Sequence, residues 1–214
     1  MKKIFLFVAV LAGMTVFTSC ENMFNNIIDK ITGNASSIIG SGDTAVEQEY
    51  TASIIMFEKN ADPQYAVGLS MVMDIEELLN IDELEDLQYP FLVYRVVGNK
   101  IKKGSTFTVN NTLTEEDLKD FDYESLISGQ FSENNLVGIA VNTHEFYIMN
   151  TGTISLSKVT SSKVVGSFTG SAYKIDLDNE HQMISPELVP MSGNFTSRVT
   201  NLLKWLMDLQ TKKK

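Results

Sequence analysis

The chain holds a single cysteine, Cys20, so no disulfide can form within it. Its two histidines, His144 and His181, are too few for a three-histidine metal site. Basic residues are also scarce: 17 Lys and Arg stand against 27 Asp and Glu, for a formal charge of −10. Nucleic acid calls for a basic stripe, and anionic lipid for a polybasic cluster, so the balance argues against both. No Gly-x-Ser-x-Gly elbow marks a nucleophile. His144-Glu145 opens like a zinc helix, but Ile148 stands where the second histidine belongs. The longest apolar run, Ile4 to Phe17, is short of the ~20 residues that a transmembrane helix needs. Nothing in the chain implies a cofactor.

What is present begins at the N-terminus. Met1-Lys2-Lys3 precedes the apolar run, and Phe17-Thr18-Ser19-Cys20 follows as a small-residue cleavage site. This order resembles a bacterial lipoprotein signal, the substrate of type II signal peptidase. The resemblance implies removal of residues 1–19, a diacylglycerol on Cys20, and a membrane partner reached through that lipid. Phe17 replaces the usual leucine. Removing 19 of 214 residues leaves 195 and takes away Lys2 and Lys3. The mature chain then has no free thiol, and its stability rests on a packed core. A chain of this size buries roughly 70% of its unfolded surface.

Residues 20–48 read as a tether, punctuated by Gly33, Gly40 and Gly42. Within it, Met23, Phe24, Ile27, Ile28 and Ile31 fall on one face of a short helix. Residues 49–214 read as one domain. Strands are expected at 49–58, 65–73, 91–97, 106–109, 136–141, 145–149, 153–159, 164–175 and 192–199, from β-formers and turn residues. In 164–175, Val164, Gly166, Phe168, Gly170 and Ala172 share one face, as in a sheet buried on one side. Helical turns are expected in the acidic insertion 74–87 and at Thr114 to Leu118. A C-terminal helix is expected from Val199, Leu202, Leu203, Leu206 and Leu209, with Trp205 beside the stripe. The fold expected is mainly β: an antiparallel sandwich or open barrel, with short helical insertions and a terminal helix.

The segments Gly152-Thr-Ile-Ser-Leu156, Val165-Gly-Ser-Phe-Thr-Gly170 and Ser192-Gly-Asn-Phe195 resemble the C-terminal half of many Bacteroidota β-sandwich lipoproteins. That resemblance covers about a third of the chain. It implies an envelope location, the outer membrane among them, and no particular activity.

Asp176, Asp178, Glu180 and Glu187 fall at positions 1, 3, 5 and 12 of a calcium loop. Against that, His181 occupies the glycine position, Pro186 stiffens position 11, and strands flank the loop. An ordinary solvated loop is the stronger reading. The acids of 74–87 likewise read as a solvated face. The expectation is a non-enzymatic binding or structural module of the cell envelope, with a protein or glycan partner. Tyr94, Tyr147 and Tyr173 are candidates for an exposed aromatic patch. The alternatives are an envelope hydrolase, which needs a pocket at His144 or His181, and an adhesin or fibre subunit, which needs an exposed strand edge.

Overall fold

Nine strands follow one another with no α-helix among the described residues. The computed structural model describes residues 33–58, 60–72, 90–112, 134–142, 144–176 and 183–199, all within the unit Thr32–Lys214. The strands are β1 (Gly33–Ile39), β2 (Val46–Glu58), β3 (Gln64–Met71), β4 (Phe91–Gly98), β5 (Thr106–Asn110), β6 (Leu136–Ala140), β7 (Glu145–Val159), β8 (Lys163–Asp176) and β9 (Met183–Val199). Neighbours in sequence are mostly neighbours in the sheet. β9 returns to pair with β1, and β7 with β8, so the sheet closes. The result is an eight-position antiparallel barrel rather than a sandwich or an open barrel.

One position of that barrel is shared. β5 and β6 lie end to end along the same edge of β7: Thr106–Asn110 pair with Ser155–Thr151, and Gly138–Ala140 with Ile148–Phe146. The chain leaves this line at its midpoint and comes back there, and two asparagines stitch the gap. Asn111 Nδ2 donates to Met149 O at 3.1 Å and to Asn135 O at 3.2 Å. Asn135 Nδ2 donates to Thr108 O, and its Oδ1 accepts from Val97 N–H, both at 2.8 Å. The side chain thereby completes the ladder between β4 and the interrupted strand.

Period-2 alternation fills the bore. Tyr50, Tyr94, Ile139, Ile154, Phe168 and Phe195 belong to one buried apolar cluster. An eight-stranded barrel has an interior just wide enough for side chains to fill or for one small ligand; here aromatic rings occupy it. β8 alternates as the sequence implies, with Val164, Phe168 and Ala172 buried inward.

β1 gives out at Gly33. Beyond it β2 and β9 meet directly in parallel, Ile54 opposite Arg198 and Ile55 opposite Val199. At this narrowing the inward residues are small and polar. Ser53 Oγ lies 2.7 Å from Ser70 Oγ and 2.6 Å from Ser197 Oγ. Tyr94 reaches from β4 to hydrogen-bond Ser197, with its ring stacked on Phe195 at 4.0 Å between centroids. Its path requires Gly68: a Cβ there would fall inside the Tyr94 ring.

Several expectations are corrected. Residues 33–39 were expected in the tether and form β1; β2 starts at Val46, before residue 49. The sequence of β1, Gly-Asn-Ala-Ser-Ser-Ile-Ile, is poor in β-formers, and it is held by ladders on both sides. The two strands expected at 145–149 and 153–159 are one, bent by a bulge between Met149 and Thr151. Much of the loop expected over 176–190 belongs to β9. Val199, expected to open the terminal helix, ends β9. The rest of that helix, the insertion 74–87, the turns at 114–118 and the face Met23 to Ile31 lie outside the described residues.

Candidate functional site

Besides the buried hydroxyls of Tyr94, Ser53, Ser70 and Ser197 and the two stitching asparagines, polar side chains gather at the rim of the barrel and on one side of its outer wall. At the rim, β7 begins with Glu145 and Tyr147, which share a strand face with Lys174 on β8; Tyr147 pairs directly with Lys174. Tyr147 O–H donates to Glu145 Oε1, and Lys174 Nζ lies 3.1 Å from the same oxygen. Tyr147 is 6% exposed. Burial, then the bond to Glu145 and its negative charge, push the phenol well above its ordinary range. It is therefore neutral at physiological pH and acts as a donor that orients Glu145. Lys174 and Glu145 are both open to water, so the ion pair contributes at most about 1 kcal/mol.

The outer wall over β5, lower β7, β8, β9 and β1 is a lattice of hydroxyl and amide groups. One register row runs Thr106, Ser155, Ser167, Asn194, Ser36; the next runs Thr108, Thr153, Thr169, Ser192. Thr151 Oγ1 and Ser171 Oγ lie 3.1 Å apart in a third row. These side chains are exposed or half-buried, and none is charged. Ser and Thr fit here because their outward side faces water while the opposite side packs the bore. In a membrane-spanning barrel the outer band is apolar and the lumen polar; along this wall the order is the reverse.

The sequence candidates are scattered across the molecule. Cys20 lies outside the described residues, as do Asp178, Glu180 and His181. Asp176 ends β8, and Glu187 lies on β9 within the irregular stretch between Ile184 and Leu188, which pair with Ile175 and Tyr173. Among the described residues, no group of three His, Cys, Asp or Glu is arranged to hold a metal. His144 sits exposed in the turn before β7, its N–H bonded to Asn142 Oδ1 at 2.8 Å.

The three tyrosines do not form a patch. Tyr94 is fully buried in the bore, Tyr147 is buried at its rim, and Tyr173 alone faces outward. Tyr94 stands between Val93 and Arg95 in a strand whose first six residues are all buried, so alternation gave no hint of its direction.

The hydroxyl lattice was legible only in β8, where Ser167, Thr169 and Ser171 share the outward face. The matching residues of β7 come from segments read as two separate strands, and Ser192 and Asn194 of β9 open the strand expected at 192–199, whose outward face was not assigned. No protein-family model, curated protein or solved structure matches this chain.

Proposed function

We propose that this chain is a lipid-anchored lipoprotein of the bacterial cell envelope, held at the outer membrane through Cys20. In this reading its barrel is a non-enzymatic module that engages an envelope protein through its outer wall. The observation that carries the reading is the bore: rings and aliphatic side chains fill it, so a partner meets the barrel from outside. The uncharged lattice of Ser, Thr and Asn on β7, β8 and β9 is the wall that faces water. A glycan platform draws on clustered exposed aromatics, and Tyr94 and Tyr147 point into the bore instead. An adhesin read through strand exchange needs an open edge, whereas this sheet closes on itself through the pairings of β1 with β9 and of β7 with β8.

The test is mild crosslinking in the native envelope followed by pull-down. Wild type is compared with Cys20→Ala and with the wall variant Thr169→Lys/Ser192→Lys. The reading expects a discrete protein partner with wild type and at least a tenfold loss with the wall variant. A partner yield unchanged by the two lysines overturns the choice of wall. Turnover of a substrate by the purified chain overturns the non-enzymatic assignment.

A further inference from the structure

The outward side of β2, β3, β4 and upper β7 is as dry as the bore. Ile54, Leu69, Val93 and Ile148 follow one register row across the outside of the barrel, and none is more than 2% exposed. Met56 and Val67 extend the dry area in the next row. Outward side chains of a sheet meet water unless something lies over them. The described strands all belong to the one sheet, and none crosses this face.

We propose that the C-terminal segment, residues 200–214, is the cover. The end of β9 delivers it there. Arg198 pairs with Ile54 and Val199 with Ile55, at the place where β1 has given out. The chain therefore leaves the sheet alongside β2, next to the dry face. The segment carries Leu202, Leu203, Trp205, Leu206 and Leu209, apolar residues recurring every three to four positions.

Its length also fits. Fifteen residues at helical rise span about 22 Å, and four interstrand steps from β2 to β7 span about 19 Å. Lys212, Lys213 and Lys214 then lie past the far edge, in water. This docking is independent of the envelope function proposed above.

Disulfide trapping in the full chain tests it, with Cys20→Ala removing the only native thiol. Leu203→Cys is paired in turn with Ala52→Cys and Met56→Cys on the dry face, and with Asn194→Cys on the hydroxyl wall as control. Under mild oxidation, at least one dry-face pair is expected to form an intramolecular disulfide in tenfold greater yield than the control. Equal yields, or no disulfide with either dry-face cysteine, overturn the proposal. A chain ending at Val199 supplies a second readout. It is expected to bind an apolar dye severalfold more than the full chain while keeping its β-sheet signal. Unchanged dye binding assigns the cover to another part of the chain and overturns the proposal. Where the shortened chain does not fold, the disulfide yields decide.

Discussion

The Tyr94 hydroxyl, rooted on β4, hydrogen-bonds the Ser197 hydroxyl on β9 across the bore, and both residues are 0% exposed. The pair joins two strands that are not neighbours in the sheet, at the point where the end of β1 lets β2 and β9 converge. Ser53 and Ser70 continue the chain of hydroxyls, so each oxygen has a partner in a place that water does not reach.

The two ends of this bond are not equivalent. Tyr94→Phe removes one hydroxyl but leaves Ser197 bonded to Ser53, and is expected to cost about 1 kcal/mol. Ser197→Ala takes a partner from both Tyr94 and Ser53 inside the bore, and is expected to cost about 2–3 kcal/mol. Denaturant unfolding of both variants checks the order. A Tyr94→Phe protein less stable than Ser197→Ala would contradict the network as described.

Gly68 and Tyr94 are coupled by space. Gly68→Ala is expected to destabilise by roughly 3 kcal/mol or more, since the added methyl falls within the ring and the core is closely packed. Combining it with Tyr94→Ala removes the clash, so the double variant is expected to lose less than the sum of the two single losses. A double-mutant cycle measures the difference. Additive losses would show that the ring does not lie over Gly68.

Alkali is expected to weaken the fold through its buried phenols. Burial pushes Tyr50 up to about 12 from 10.0, despite a bond to Ser37, and Tyr94 is raised by burial as well. A raised folded value means that the native state holds its proton more tightly than the unfolded chain. The stability from Tyr50 is therefore fully present below pH 10 and is lost as pH rises through 12. At one pH unit above the unfolded value, each such tyrosine is expected to have lost about 1.4 kcal/mol. Unfolding of wild type and Tyr50→Phe at pH 8 and pH 11 isolates one tyrosine. An equal fall in both proteins would contradict the assignment.

Asn135 is expected to matter more than its position just before β6 suggests. Asn135→Ala removes the acceptor of Val97 N–H and the donor to Thr108 O. The expected cost is about 1–3 kcal/mol, with hydrogen exchange at Val97 at least tenfold faster. Lys174→Met at the rim, where water screens the ion pair, is expected to change stability by less than about 1 kcal/mol.

Much of the wall was legible because β-branched and aromatic runs mark β2, β3, β4, β7 and β8, and Thr160-Ser161-Ser162 marks the turn between the last two. β1 was not, because Gly33-Asn34-Ala35-Ser36-Ser37 has the composition of a linker and its stability comes from the two strands beside it. Closure was not legible either. It depends on β9 returning to β1, a pairing of residues more than 150 positions apart that no local pattern encodes. The directions of Tyr94 and Tyr147 were hidden for a different reason. Their strands are buried on both sides there, so apolar residues run continuously and the face of each is set by the register with β3, β6 and β8.

The central claim is the lipid on Cys20, and detergent phase separation of envelope extracts tests it most directly. After labelling with a fatty acid, wild type is expected to carry label and to enter the detergent phase. Cys20→Ala is expected to carry none and to remain in the aqueous phase. A Cys20→Ala protein that keeps the label, or enters the detergent phase as wild type does, would contradict the anchor and the envelope function built on it.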